Sequence, residues 1–260
     1  MKIVYLGDVV GRSGRDAVLE NIENIRAKYR PDVFVVNVEN SAHGFGATPK
    51  ICDEFLKKGV DVMVTGNNVW KQKELMPYLD ECKFILRPLN YPSKLPGRGM
   101  VEFETLKGKK ILVVQFMGKL LMEETESFMV AAENMLKEYT LGQNVDAIFV
   151  DMHAEVTAEK LAFAHWLDGK VSVVAGTHTH VPTSDARVLD NGTAYISDVG
   201  MCGDYNSVIG FDKQEPIKRL FNQNTGGKLQ VANGKGTVFG IFVETDDKSG
   251  LAKNIEQFKF

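Results

Sequence analysis

Apolar residues fall along this chain in short β-branched runs that stop abruptly at polar side chains. Lys2-Ile3-Val4-Tyr5-Leu6-Gly7 closes on Asp8, and Val33-Phe34-Val35-Val36-Asn37-Val38 closes on Glu39-Asn40. Val60-Asp61-Val62-Met63-Val64 runs into Thr65-Gly66-Asn67-Asn68, Asp146-Ala147-Ile148-Phe149-Val150 into Asp151-Met152-His153, and Val171-Ser172-Val173-Val174-Ala175 into Gly176-Thr177-His178-Thr179-His180. Near-continuous apolar runs of this kind predict strands of a sheet covered by helices. Helical spacing is found around Arg15–Tyr29, Pro49–Lys58, Glu124–Glu138 and Thr157–Leu167. The stretch Arg87–Arg98, with Pro88, Pro92 and Pro96, reads as a surface connection or flap, and Gly108 as the turn of a hairpin between Met100–Leu106 and Lys109–Phe116. The C-terminal third alternates short strands with turns at Gly192-Thr193, Gly226-Gly227 and Gly234-Lys235-Gly236, and is expected to complete a second sheet. The fold class expected is α/β, a four-layer α-β-β-α sandwich of two mixed sheets flanked by helices, formed by residues 1–260 as one domain.

Strand ends are where α/β sheets keep their chemistry, and five of them here carry donors: Asp8, Glu39, Asn40, Asn67, His153, His178 and His180. On an extended segment alternate residues face one way, so His178 and His180 are expected to share a pocket. One zinc or non-haem iron takes three or four protein ligands. Seven donors exceed that and suit two ions, with Glu39 as the carboxylate able to give one oxygen to each. Carboxylate, amide and imidazole without cysteine favour iron or manganese, with zinc or magnesium as other candidates. Taken singly each block has a plainer reading: Asp8 as the cap of a helix starting near Ser13–Asp16, Asn67-Asn68 as a turn, His153 as a core histidine. Together those readings require five coincidences at one sheet edge.

The blocks Gly7-Asp8-Val9-Val10-Gly11, Asn37-Val38-Glu39-Asn40-Ser41, Thr65-Gly66-Asn67-Asn68, Asp151-Met152-His153-Ala154-Glu155 and Gly176-Thr177-His178-Thr179-His180 resemble, in order, those of the YmdB-type bacterial metallophosphoesterases. The resemblance extends to about Gly210 and takes in Ser197-Asp198-Val199-Gly200-Met201. It implies a calcineurin-like phosphoesterase fold, a two-metal centre, and hydrolysis of phosphodiesters such as 2',3'-cyclic nucleotides by a hydroxide shared between the ions. By that likeness Asp8, Glu39, Asn40 and His180 hold one ion, and Glu39, Asn67, His153 and His178 the other.

One position departs from the pattern. Where this chain has Asn68 the family ordinarily has a histidine, expected over the phosphate, where it protonates or stabilises the departing oxygen. An amide donates a hydrogen bond but has no proton to transfer. A positioned general acid contributes about a hundred- to ten-thousand-fold and matters most for poor leaving groups. Nucleotide esters are therefore expected to suffer more than activated esters. The other reading is a nucleotide-binding regulatory protein on the same fold with little or no turnover.

Other residues carry less. His43, in the loop Ser41–Gly46, is a candidate substrate contact; His165 lies on a helix directed away from the strand ends; Glu155 is placed to orient a ligand histidine or to start a helix. The glycines from Gly7 to Gly14 fit neither the dinucleotide fingerprint nor the phosphate-binding loop, which argues against a dehydrogenase. The formal charge of −3 gives no basic footprint for a nucleic-acid backbone. No run approaches the ~20 apolar residues of a membrane span. Three cysteines, Cys52, Cys82 and Cys202, lack metal-binding spacing. The expected setting is the cytoplasm, the expected partner a small nucleotide or other phosphodiester, and the expected assembly a homo-oligomer.

Overall fold

The structure is a computed structural model that describes residues 1–221 and 226–260. In chain order its elements are β1 (Lys2–Leu6), β2 (Asp8–Val9), α1 (Gly11–Tyr29), β3 (Val33–Asn37), α2 (Pro49–Lys57), β4 (Val62–Val64), a 3-10 turn (Asn67–Trp70), α3 (Leu75–Glu81), β5 (Ile85–Leu86), β6 (Met100–Glu104) and β7 (Lys110–Met117). There follow α4 (Phe128–Glu138), β8 (Ala147–His153), α5 (Thr157–Leu167), β9 (Val173–Thr177), β10 (Arg187–Val188), β11 (Ala194–Ile196), β12 (Met201–Cys202), α6 (Gln214–Leu220), β13 (Phe239–Thr245) and β14 (Ala252–Lys259).

Two six-stranded mixed sheets result, ordered β14-β13-β1-β3-β4-β5 and β10-β11-β9-β8-β7-β6, with β2 and β12 pairing separately. Side-chain alternation explains the layers. Ile3 and Tyr5 of β1, with Val33, Val35, Val62 and Val64, meet Val113, Phe149, Val173 and Ala175 of the other sheet. Tyr5 and Phe149 touch edge to face, 4.9 Å between centroids. The intervening residues Val4, Leu6, Phe34 and Val36 face α1 and α2 through Val18, Ile22 and Phe55. On the far side Leu112, Val114, Ile148 and Val150 face Ala132 of α4 and Phe163 and Leu167 of α5. The expected four layers are present.

Differences from expectation are local. α1 begins at Gly11, its first residue taking φ +58° and giving its amide to Asn40 O. Val10 precedes it without a side-chain cap, so Asp8 does not cap this helix. α4 begins at Phe128, not Glu124, because Ser127 accepts the amide of Val130. α3 and α6 were not expected, and β13 and β14 join the first sheet instead of the second, β13 lying antiparallel to β1. Strands β1, β3, β4 and β5 run parallel, as do β7, β8, β9 and β11. Carboxyl ends of β1, β3 and β4 are thus gathered at one edge, as are those of β8 and β9.

Candidate metal centre

Six of the seven donors expected at strand ends meet one another in two contacting groups, and the seventh, Asp8, lies against them. Asp8, Glu39 and His153 are all fully buried. Asp8 follows β1 and accepts Asn37 Nδ2 at 2.9 Å and the His178 amide at 3.3 Å. Asn37 also accepts the Glu39 amide through Oδ1 at 2.9 Å, so this one residue orients two carboxylates. Glu39 Oε2 lies 2.8 Å from His153 Nε2 and has no hydrogen-bond partner of its own. His153 Nε2 is also 3.1 Å from Asn67 Oδ1 and 3.1 Å from His178 Nδ1. One ligand atom from each of Glu39, His153 and His178 falls within 4.8 Å of the others. His180 Nε2 stands 3.2 Å from Asn40 Oδ1.

The network fixes how the rings are turned. His180 Nδ1 is 2.8 Å from the carbonyl of Ile209, an acceptor only, so Nδ1 carries a hydrogen and Nε2 is the nitrogen turned to the centre. Asn40 donates its amide nitrogen to Gly44 O at 2.9 Å, which turns its carbonyl oxygen toward that same Nε2. His178 Nε2 faces Glu155 Oε2 at 3.2 Å, which leaves its Nδ1 bare toward His153. Thr177 Oγ1 lies 2.7 Å from Asp151 Oδ1 and 2.9 Å from His153 Nδ1, so the ring is held through Nδ1 and turns Nε2 to the centre. Gln115 braces Asp151 from the other side at 2.6 Å. Burial pushes both His153 and His178 down to about 4, so both rings are neutral at physiological pH. Ring nitrogens of His153 and His178 thus gather with carboxylate and amide oxygens around orphaned Glu39 Oε2, a donor set that fits a cation.

Burial also drives the carboxyls upward: Asp8 to about 7, opposed by His180 and His153, and Asp151 to about 8. Glu39 is raised in the same way. Positive charge placed among them would reverse that.

Two expectations about geometry change. His178 and His180 are not on extended backbone: β9 ends at Thr177, and the two residues take φ +97° and +66°. Their convergence comes from a turn and not from strand alternation. Asn68 gives both its backbone amide (3.1 Å) and its side-chain nitrogen (2.8 Å) to Glu39 Oε1, so its amide is engaged with a carboxylate and not free over the centre. Gly66 makes room for this, since a Cβ there would lie 2.4 Å from Glu39 Cδ. His43, exposed and at φ +54°, lines a groove of about 1310 Å³ between α1 and residues 229–237, with Arg12, Arg15 and Lys235. Asn37, Gln115, Asp151 and Lys160 were not foreseen. For Asn37, Gln115 and Asp151 the sequence carries a trace, a polar residue interrupting an apolar run, whereas Lys160 follows Glu159 in a helical segment and carries none.

The profile of a family described as YmdB-like protein matches residues 4–258. The chain belongs to the YmdB-like family. A relative from Bacillus subtilis (strain 168), named 2',3'-cyclic-nucleotide 2'-phosphodiesterase, is 39% identical over 257 residues, covering 99% of this chain and 96% of its own. Two solved structures share the fold across 100% of this chain. A hypothetical protein from Thermus thermophilus has TM-score 0.91 at 36% identity, with 99% of its chain covered. A phosphatase from Mycoplasma pneumoniae has TM-score 0.92 at 32% identity, with 93% covered. Among the described residues of this YmdB-like chain, no helix is long and apolar enough to cross a membrane.

Proposed function

We propose that this chain is a binuclear-metal phosphodiesterase acting on small phosphodiesters, with 2',3'-cyclic nucleotides foremost. The observation that carries the reading is the gathering of ligand atoms of Glu39, His153 and His178 within 4.8 Å of one another, around a Glu39 oxygen without a hydrogen-bond partner. Asp8, Glu39, Asn40 and His180 hold one ion in this reading, and Glu39, Asn67, His153 and His178 the other. Iron or manganese suits the donors best. Bound there, the pair supplies Lewis acidity, lowering the pKa of water and drawing in phosphate.

The chain's own residues do the rest. Two carboxylates among neutral ligands leave a loaded centre electropositive toward a phosphodiester. Asn37 and the Gln115–Asp151–Thr177 relay keep ligands aimed. His43, beside Arg12 and Lys235, is the substrate contact outside the centre. Asn68 has no proton for a departing ribose oxygen, and its amide is occupied by Glu39. The substrate class is supported by the Bacillus subtilis relative's name.

That engagement of Asn68 also favours a second reading, a nucleotide binder that turns over negligibly. Metal analysis, together with multiple-turnover assays on 2',3'-cyclic nucleotides, separates the two. The first reading expects about two ions per chain and steady hydrolysis that a chelator abolishes. Bound metal with a single turnover or none selects the second. For Asn68→His, the expected gain is about a hundredfold on cyclic nucleotides and little on a p-nitrophenyl ester, whose leaving group needs no acid. Equal gains on both would remove the acid argument.

A further inference from the structure

Beneath the turn carrying His178 and His180 lies a buried ion pair that touches neither ring. Lys160, on α5, is 1% exposed, and its ammonium donates to Thr177 O at 2.8 Å and to Asp198 Oδ2 at 3.0 Å. Asp198 Oδ2 also accepts the Thr179 amide at 3.0 Å and the Thr179 hydroxyl at 2.8 Å, while Oδ1 accepts Gly200 N at 2.9 Å. Room for the lysine stem comes from Gly176, where a Cβ would lie 2.7 Å from Lys160 Cδ and 1.8 Å from Ser197 O. Further along, Thr183 gives its amide to Asp198 O at 3.0 Å, and its hydroxyl oxygen takes the Asp198 amide at 2.9 Å.

Two features require an explanation together. A buried cation and anion are costly to desolvate, and their pairing alone is weak support for a fold. The backbone they touch is held at φ +97° at His178 and +66° at His180, a region that L-residues seldom enter and that persists only where contacts overdetermine it. Thr177, just before the first histidine, is gripped by Lys160; Thr179, between the two, is gripped by Asp198. The residue before the strained stretch and the residue at its middle are thus both fixed to one ion pair. We infer that Lys160, Thr179 and Asp198 form a positioning clamp that holds His178 and His180 in the strained turn that brings their nitrogens to the cations. The inference rests on the two-metal reading and adds to it three residues that touch neither metal nor substrate.

The test measures Mn²⁺ binding to chelator-stripped protein by competition with an indicator, alongside circular dichroism and melting of the metal-free form. Thr179→Val removes one hydroxyl at a half-buried position, and about tenfold weaker binding is expected, with the metal-free melting unchanged; Thr179→Ser, which keeps the hydroxyl, is expected to bind as wild type. Lys160→Met alone would strand Asp198, so it is paired with Asp198→Asn, and the double variant is expected to lose about ten- to a hundredfold. Wild-type affinity in both Thr179→Val and the double variant would overturn the clamp, as would equal weakening in Thr179→Val and Thr179→Ser. A wild-type chain that takes up no Mn²⁺ would instead overturn the two-metal reading itself, and the clamp with it.

Discussion

Single residues at this centre act by chemical type and by the space left around them. Gly66 illustrates the second. It holds φ +57° and lies so close to Glu39 that an added methyl would meet the carboxylate. Gly66→Ala is therefore expected to push Glu39 aside and lower both metal content and turnover by roughly tenfold or more. Elemental analysis of the purified variant checks this; an unchanged ion count would show that the carboxylate has room to spare. The positions of Asp8, Glu39, Asn67 and His153 were legible from sequence because each lies at or within three residues of the end of a strand, and a strand end is a position in space. Asn37, Gln115 and Asp151 were not, since period alone gives the face of a strand and not what waits across from it. The spacing of His178 and His180 implies an extended backbone that the structure contradicts, because sequence pattern does not reveal a positive-φ turn at non-glycine residues.

Elements were legible in proportion to how local their causes are. α5 was placed at its observed bounds, and α2 nearly so, with Pro49 in its first turn and Thr48 accepting the Ile51 amide. The sequence pattern extends α4 four residues too far because Glu124 and Glu126 are good helix formers, yet the boundary is set by Ser127. Its capping bond is long, 3.4 Å. Ser127→Ala is accordingly expected to cost about 0.5–1 kcal/mol, the low end for a cap, with turnover unchanged because α4 covers the face of the second sheet away from the first. A urea unfolding midpoint measures the first, a steady-state assay the second. β13 and β14 were assigned to the wrong sheet for a different reason: the choice of partner is non-local, and either sheet offered an edge to an alternating strand.

At the scale of the whole molecule, the four layers followed from strands apolar on both faces, but the energetic tension at their shared edge did not. Several buried ionisable groups sit together there, Asp8, Glu39, Asp151 and His153 among them. A carboxyl whose folded pKa is raised holds its proton more tightly folded than unfolded, so its contribution to stability is lost as pH rises through the folded value. Asp8 at about 7 and Asp151 at about 8 thus penalise folding above neutrality. The depressed histidines act oppositely: their contribution is full above their ordinary 6.5 and lost as pH falls toward about 4. From pH 6.5 upward only the carboxyl effect remains. Metal-free protein is expected to melt about 2–6 °C lower near pH 8.5 than near pH 6.5, and metal-loaded protein to show no such fall. Calorimetry of both forms across that interval decides it.

β1 occupies the interior of its sheet, and its antiparallel neighbour β13 pairs Lys2 with Glu244 and Leu6 with Gly240. A ribosome adding about 5–20 residues per second needs on the order of ten seconds or more to deliver that partner. Throughout this interval the strand leading into Asp8 has one raw edge. A nascent chain released before β13 emerges would carry all seven candidate donors on a sheet with an open strand, one inviting association with its neighbours.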